Sequence, residues 1–457
     1  MKINQLFSLT WHWSCQWAGV SLFVLGYALS SQSIAERHVY EEQNLNNAAQ
    51  PLFNEKINIT LLEAVQLALQ HNPELASFAK EIQALEGTTL QAGLLPNPRL
   101  QIDLEDLGTR TDITPGGTFT AIRIGQLIET GGKRLARRTA ASLNEERAER
   151  DYEARTLDLI ALVANIFTDI LAGQARLQLA QDNSVLAQKV VDAAKKRVQA
   201  GKAPPIEETR AKVALATAKI ELEQAQRDLN AFRKQLTLLW GNPAPKFKHA
   251  LGDLESLVKI PDLDTLTERV RVNPAVLSSQ ANLAQRKANL KLQQALRLPD
   301  ITVSAGIRRY AQELDELDSG VLNDTTALVG ISVPLPLFDR NQGNILEAHQ
   351  RVDQAEDQWE ATDLRLRSLL AQTYEGLLSA QNEIRVLQDE ILPGAKEAFK
   401  TARRGYELGR FNFLTMLDAQ RALFQNQALY VRALANYQRL VNEIERLIAA
   451  PIENASN

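Results

Sequence analysis

One cysteine, two methionines and five histidines are all that this 457-residue chain offers to thiol or soft-metal chemistry. Cys15 precedes the apolar stretch 17–29 instead of closing it, so it is misplaced for lipoprotein acylation, and no later cysteine exists to form a disulfide or a thiolate site. Past residue 35 the histidines are His38, His71, His249 and His349, far apart and never at helical spacing from one another. Zinc and copper sites want clustered His, Cys or carboxylates, so neither a metal site nor a cofactor is expected. Met416 is the sole methionine besides the initiator, which excludes a methionine ladder for copper. Enzyme signatures are missing too: no Gly-rich phosphate loop, nucleophile elbow or His-Glu-x-x-His occurs. Adjacent acids such as Glu145-Glu146 sit in a charge-rich helical stretch, where solvation explains them better than catalysis.

Charge is also absent at the start, where Lys2 is the one charged residue of the first 35. With the apolar run that follows, this reads as a secretory signal over 1–35, cleaved near Ser33-Ile34-Ala35 or at Ala28-Leu29-Ser30, and then a polar segment over 36–58. Losing Lys2 leaves 50 basic residues (51 − 1) against 55 acidic ones, a mild balance that argues against a nucleic-acid partner. After the signal no run of eighteen apolar residues appears, so no transmembrane helix is expected. An exported chain of this kind is periplasmic, secreted, or held in an outer membrane as strands.

What the chain does contain is a repeat of its own first half. Asn72-Pro73 recurs as Asn273-Pro274 and Pro98 as Pro299, both at an offset of 201, while Ala194–Gly201 recurs as Ala402–Gly409 at 208. Thr60-Leu-Leu-Glu63 and Thr265-Leu-Thr-Glu268 have the form of capping boxes that open each half. A period this long signals duplication of a domain-sized unit, here 59–240 and 263–450, joined by a proline-containing connector over 241–262 and followed by a tail over 451–457.

Each half reads as a long antiparallel helical hairpin, about 133–240 with its tip at 201–205 and about 341–449 with its tip at 409–413. In the second, Ile345, Val352, Trp359 and Leu366 recur every seven residues, and after a four-residue stutter Leu370, Leu377, Ile384, Ile391 and Ala398 do the same. Pro393-Gly394 is expected to kink that helix without ending it. The returning seam is Tyr430, Leu434, Tyr437, Val441, Ile444 and Ile448. Period-two alternation marks strands at about 99–107, 118–128, 300–309 and 325–334, joined in pairs by polar loops at 108–117 and 311–323. The fold class is thus mainly α with a small β part. Four strands cannot close a barrel, and open edges are intolerable in lipid, so copies must pool their strands. Three copies give twelve strands, whereas two give eight, whose interior is filled by side chains.

At this point the chain resembles the TolC-like outer-membrane efflux proteins, and among them the CzcC-type heavy-metal (cobalt-zinc-cadmium) branch. The resemblance rests on Gly93-Leu-Leu-Pro-Asn-Pro98, on Gln126-Leu-Ile-Glu-Thr-Gly131-Gly132-Lys-Arg134, and on Pro334-Leu-Pro336-Leu-Phe338-Asp339-Arg340-Asn341-Gln342-Gly343-Asn344. Tyr406-Glu-Leu-Gly409-Arg410-Phe411 through Gln420 resembles the family's second periplasmic tip. The resemblance implies a homotrimeric tube, with a twelve-stranded barrel in outer-membrane lipid above a periplasmic helical tunnel. A periplasmic adaptor (membrane fusion) protein would dock at Gly201, Lys202, Gly409, Arg410 and Phe411 and link it to an inner-membrane pump of the resistance-nodulation-division type. Tyr406, Glu207 and Asp418 match gate and selectivity positions, although Phe411 stands where a relative has arginine and Thr415 replaces an aspartate. A conduit for organic drugs or type I secreted polypeptides is the alternative within this class. A periplasmic coiled-coil scaffold without a pore is the alternative outside it, and the strand pairs argue against that. The scarcity of ligands makes one expectation measurable: elemental analysis of the dialysed, purified protein should find no stoichiometric zinc, copper or cobalt, and a retained equivalent would refute it.

Overall fold

The structure, a computed structural model, describes residues 58–105, 117–244, 247–313 and 321–452. The signal at 1–35, nearly all of the polar segment 36–58, most of both loops between paired strands, and residues 453–457 of the tail lie outside the described residues. In chain order the elements are β1 (Asn58–Thr60), α1 (Leu61–His71), α2 (Pro73–Ala92), β2 (Arg99–Glu105), β3 (Gly117–Ile128), α3 (Lys133–Gln199) and α4 (Pro205–Leu238). There follow β4 (His249–Leu251), α5 (Leu263–Val270), α6 (Pro274–Leu296), β5 (Ile301–Glu313), β6 (Val321–Ser332) and α7 (Gln342–Val386). A π-helical turn, Leu387–Ile391, then leads into α8 (Leu392–Glu407), and α9 (Phe413–Ile448) completes the chain.

The long helices pack by their seams. In the second half Leu366, Leu370, Leu377 and Ile384 meet Leu434, Tyr437, Val441 and Ile444 in one buried cluster. In the first half Val163, Phe167 and Ile170 of α3 are buried with Leu229 and Leu236 of α4 and Ala64 and Ala68 of α1. One stretch of α3 has, by length and composition alone, the apolar content of a membrane-crossing helix. Its apolar content has a different explanation: Val163, Phe167 and Ile170 supply that core.

The two Asn-Pro pairs join short helices end to end. Asn72 caps α2 by accepting the Leu75 N–H at 2.9 Å, and its amide donates to the Leu239 carbonyl just past α4 at 2.8 Å. Asn273 accepts the Ala275 N–H at 2.8 Å and donates to the carbonyls of Arg446 and Leu447 at 3.0 and 2.9 Å. Each asparagine therefore satisfies an orphan donor of the helix it starts and an orphan acceptor of the helix that ends against it. Proline at the next position loses nothing, because its N–H would have been unpaired.

Three expectations need correction. The Thr60/Glu63 box forms, with bonds of 3.1 and 3.3 Å, but its counterpart at Thr265 does not. Asp262 caps α5 instead, accepting the Asp264 N–H, so Thr265 lies inside the helix. The connector 241–262 also holds β4, which pairs in parallel with β1 over three residues, too short a ladder for a period-two pattern to reveal. The third concerns Pro393. Its ring would strike the carbonyl four residues back in a regular helix, and the adjoining π turn takes one extra residue into the helix before it. The seam shifts by one as a result: Leu387 is still buried on it, but the next buried residue is Leu392, not Ile391, and half-buried Phe399 and buried Tyr406 follow at seven-residue steps while Ala398 is exposed.

The other four strands form a second sheet of order β2-β3-β5-β6, antiparallel throughout. β5 and β6 reach further toward the loop than the sequence suggested, whereas Val333 and Pro334 fall outside β6. One face is apolar and exposed in the single chain: Leu100, Ile102, Leu104, Ile122, Ile124, Val303, Ile307, Val329 and Ile331. The other carries Gln101, Asp103, Glu105, Arg123 and Arg308, with ion pairs Arg123–Asp103 at 3.5 Å and Arg308–Glu105 at 3.2 Å.

The π turn makes a test of the packing. Deleting the exposed Asp389 together with Pro393→Ala removes both the extra residue and the ring that a regular helix cannot hold, and leaves Leu392, Phe399 and Tyr406 on the seam, so thermal unfolding followed by helix circular dichroism should change little. Deleting Glu375 from the regular part of α7 turns Leu377 and Ile384 off the seam, and at roughly 1.5–3 kcal/mol per buried aliphatic side chain it should cost several kcal/mol. Equal losses in the two variants would contradict the shifted register.

Candidate functional site at the helical tips

Both long hairpins turn on the same backbone device. At the first, the Gly201 N–H donates to the Val198 carbonyl and the Lys202 N–H to that of Arg197, at 3.0 and 2.9 Å; at the second, the Gly409 N–H donates to Tyr406 and the Arg410 N–H to Gly405, at 3.0 and 2.7 Å. This is the Schellman arrangement, which needs a left-handed residue after the helix. Gly201 and Gly409 supply it with φ of 68° and 73°, and open space surrounds both. A side chain there would be strained by the backbone, not by crowding.

The seam shift brings Tyr406 to the place where the two tips meet. Its ring is buried, 4 % exposed, in a cluster with Ala187, Val191 and Ala194 of α3, Ala211 and Leu215 of α4, and Phe413, Met416 and Leu417 of α9. Phe413 packs edge-on at 5.7 Å between centroids. The Arg197 guanidinium lies 4.3 Å from the Tyr406 ring centroid and donates to its carbonyl at 2.7 Å. The phenol donates to Glu207 Oε2 at 2.9 Å. Glu207 sits in the first turn of α4, where the helix dipole favours a carboxylate. One tyrosine from the second hairpin is thus held by a cation and an anion from the first.

Burial and the adjacent carboxylate of Glu207 push the Tyr406 phenol up to about 12. It stays protonated, and so remains a donor, across the physiological range. Because folding raises this pKa above the ordinary value of about 10, its contribution to stability is complete below pH 10 and is lost as the pH rises through 12.

The remaining positions singled out in the sequence are not part of this bond network. Asp418 is exposed and, among the described residues, has no hydrogen-bonding or ion-pair partner; Lys202 and Arg410 are likewise exposed. Phe411 folds back over Gly405, where an added Cβ would meet its ring at 2.2 Å, and its N–H donates to the Gly405 carbonyl at 3.2 Å. Sequence reasoning missed Arg197. Nothing in its spacing marks it, because the contact spans 209 residues and exists only once the hairpins pack.

The other motif residues gather where strands become helices. Gly131 and Gly132 both take positive φ, 65° and 70°, and a Cβ on Gly131 would come within 2.6 Å of Leu298. Asp300 accepts from the Thr130 N–H at 3.0 Å and from Lys133 at 2.6 Å. In the second half the helix start is Asn341, at φ 59°. Its N–H donates to Asp339 Oδ1 at 2.8 Å, its amide donates to the Gln293 carbonyl at 2.7 Å, and the Arg340 N–H donates to Gln342 Oε1 at 2.8 Å. Pro334, Pro336 and Phe338 lie exposed on the irregular stretch before it, and Gly343 lies in the first turn of α7.

Paired strands with one apolar and one polar face, mounted on long helical hairpins, are the form of a subunit whose sheet lies in a membrane. The chain matches the outer membrane efflux protein family over residues 64–242 and 268–450, and it belongs to that family. It is 36% identical to the cobalt-zinc-cadmium resistance protein CzcC of Cupriavidus metallidurans over 390 residues, covering 85% of this chain and 90% of that one. Among solved structures, a membrane protein from Pseudomonas aeruginosa aligns with TM-score 0.73 at 21% identity, over 86% of this chain and 90% of that one. A structure of CusC, described as showing transmembrane channel formation, aligns at 0.72 and 18%, over 85% and 92%. The protein resides in the outer membrane with its helices in the periplasm, and its family is one of channels, not of enzymes.

The tip contacts can be separated by a double-mutant cycle on unfolding. Tyr406→Phe and Glu207→Gln should show a coupling toward the lower end of the roughly 1.5–3 kcal/mol of a hydrogen bond to a charged group, because Glu207 is only partly buried. Tyr406→Phe with Asp418→Asn should show none. Coupling to Asp418 in place of Glu207 would contradict the geometry.

Proposed function

We propose that three copies of this chain form a tube that passively conducts heavy-metal cations, such as cobalt, zinc, cadmium or copper, out of the cell. A periplasmic adaptor joins it to an inner-membrane pump of the resistance-nodulation-division type. The observation that carries the reading is the amphipathic sheet with two open edges, β2 and β6. Its apolar face suits lipid, its ion-paired face suits a watery lumen, and edges without partners cannot persist in hydrocarbon. Twelve pooled strands leave a lumen wide enough to conduct. The metal substrate is supported by the similarity to a cobalt-zinc-cadmium resistance protein. The scarcity of soft ligands fits a conduit that passes cations without holding them.

The tips are the gate in this reading. Gly201, Lys202, Gly409, Arg410 and Phe411 form the surface that the adaptor grips, and the Tyr406–Glu207 bond with Arg197 keeps each second hairpin drawn against the first. Asp418, without a partner among the described residues, would face its two copies around the threefold axis, where clustered carboxylates attract cations.

Three measurements test this. Native mass spectrometry of the detergent-extracted protein should give a trimer, and deleting the gene should sensitise cells to cobalt, zinc or cadmium as strongly as deleting its pump. In planar bilayers Tyr406→Phe should lengthen openings, and Asp418→Ala should weaken cation preference without lengthening them. A folded monomer would end the tube reading. Unchanged metal tolerance alongside new sensitivity to organic drugs would move the substrate to the alternative class.

A further inference from the structure

The two halves of the sheet correspond residue for residue, and the correspondence says what covers the open edges. An offset of 201 carries Ile102 to Val303, and an offset of 209 carries Ile122 to Ile331; both pairs, Ile102↔Ile122 and Val303↔Ile331, are directly opposed in their hairpins. The same offset of 209 carries Gly132, the left-handed start of α3, to Asn341, the left-handed start of α7. Within the chain, the strand that leaves the first half, β3, pairs with the strand that enters the second, β5, with Ile124 opposite Ala305. The matching contact for β6 would be with a strand equivalent to β2, but the chain's own β2 lies at the far edge, about 14 Å away across three inter-strand spacings.

We propose that residues 333–342 dock on residues 94–104 of a second copy of this chain in the register fixed by the internal repeat, with Val333 opposite Leu104 of the partner subunit and Asp339 paired with Arg99 of the partner subunit. This deepens the trimeric reading and rests on it. The in-chain junction supplies the template. There Thr130 and Lys133 hold Asp300. Transferred by the two offsets, Thr130 becomes Asp339, Lys133 becomes Gln342, and Asp300 becomes Arg99. The polarity is inverted: the acid moves from the strand lead-in to the helix start, and a base takes its place. The steric fit inverts as well, since the bare Gly131 against bulky Leu298 becomes the long Arg340 against the smaller Asn97 of the partner subunit.

Exposure in the single chain matches. Leu335, Leu337 and Phe338 are 74%, 65% and 91% exposed on one side of the seam, and Leu95, Leu100 and Ile102 are 65%, 66% and 58% exposed on the other. The Arg99 side chain has no bonded partner among the described residues, and Asp339 engages only the Asn341 N–H, through Oδ1. The inversion also gives specificity. A chain swapping the two junctions would set Asp339 against Asp300, or Lys133 against Arg99, and like charges there oppose mispairing.

Cysteine pairs test the register in a Cys15→Ser background, which has no other thiol. Oxidation of Leu104→Cys/Val333→Cys in native outer membranes should give covalent dimers and trimers on non-reducing gels. Ile102→Cys/Val333→Cys, shifted by two residues on the same face, should link several-fold less. In-chain linkage is excluded, because the edges are too far apart for a disulfide. Separately, Arg99→Asp and Asp339→Arg should each lower the temperature at which the detergent-solubilised trimer dissociates, and the double exchange should recover most of the loss. A trimer by native mass that fails to link through the aligned pair, or links equally through the shifted one, overturns the proposed seam and leaves the tube standing. A double exchange as labile as both singles combined overturns the inverted ion pair. A parent protein that is monomeric overturns the tube and the seam together.

Discussion

A β-sheet in hydrocarbon has no solvent to satisfy the backbone of an edge strand, and every other feature of this protein follows from how that constraint is met. Among the described residues four strands make up its sheet, with β2 and β6 along the outer edges. In the tube proposed above, closure comes from other copies, and identical copies close a ring only if the surface leaving each one complements the surface entering the next. An internal duplication provides such surfaces readily, because the contact that joins the halves already has the required shape. At the proposed seam the sequence differences between the halves put Asp339 and Arg99 in place of Thr130 and Asp300.

Below the sheet the problem is length. Helices of 67 and 45 residues, the latter continued through the π turn into α8, run far beyond what local propensity alone stabilises. They depend on seams buried against returning helices and, further along, against α2 and α6. The Asn72 and Asn273 caps let two short helices act as one returning strut without leaving carbonyls unsatisfied. A single substitution would unpair groups on both abutting helices at once, two at Asn72 and three at Asn273.

Much of this was legible in the sequence because it is periodic. The seven-residue seam from Ile345 to Ile384, the Asn-Pro marks, the tip glycines and the alternation in β2 and β5 are local patterns with one physical cause each. What escaped had no local signature. The seam beyond Ile384 was misassigned because a π turn adds a residue that sequence spacing counts as ordinary, and Pro393 signalled strain there without saying how it is relieved. The three-residue ladder of β1 with β4 is too short for periodicity. At the tip, acidic residues were recognisable by position, but Glu207 and Asp418 could not be ranked from spacing. The ranking comes from packing, which puts the Tyr406 phenol within 2.9 Å of Glu207 and leaves Asp418 exposed.

The register error and the site are the same fact. Had the helix continued regularly past Ile384, the seam would have run through Ile391, Ala398 and Gly405, and Tyr406 would have been turned about 100° away from the first hairpin, one residue's rotation in an α-helix. The extra residue at Leu387–Ile391 exchanges that small-residue seam for Leu392, Phe399 and Tyr406. Gly405, displaced from the seam, becomes the bare surface over which Phe411 folds. A proline some thirteen residues from the tyrosine thereby accounts for the turn that aims the phenol at Glu207 and places its ring under Arg197. The bond between the two tips is set by helix register well away from them, so a change of pitch along α7 and α8 would be felt first at Tyr406.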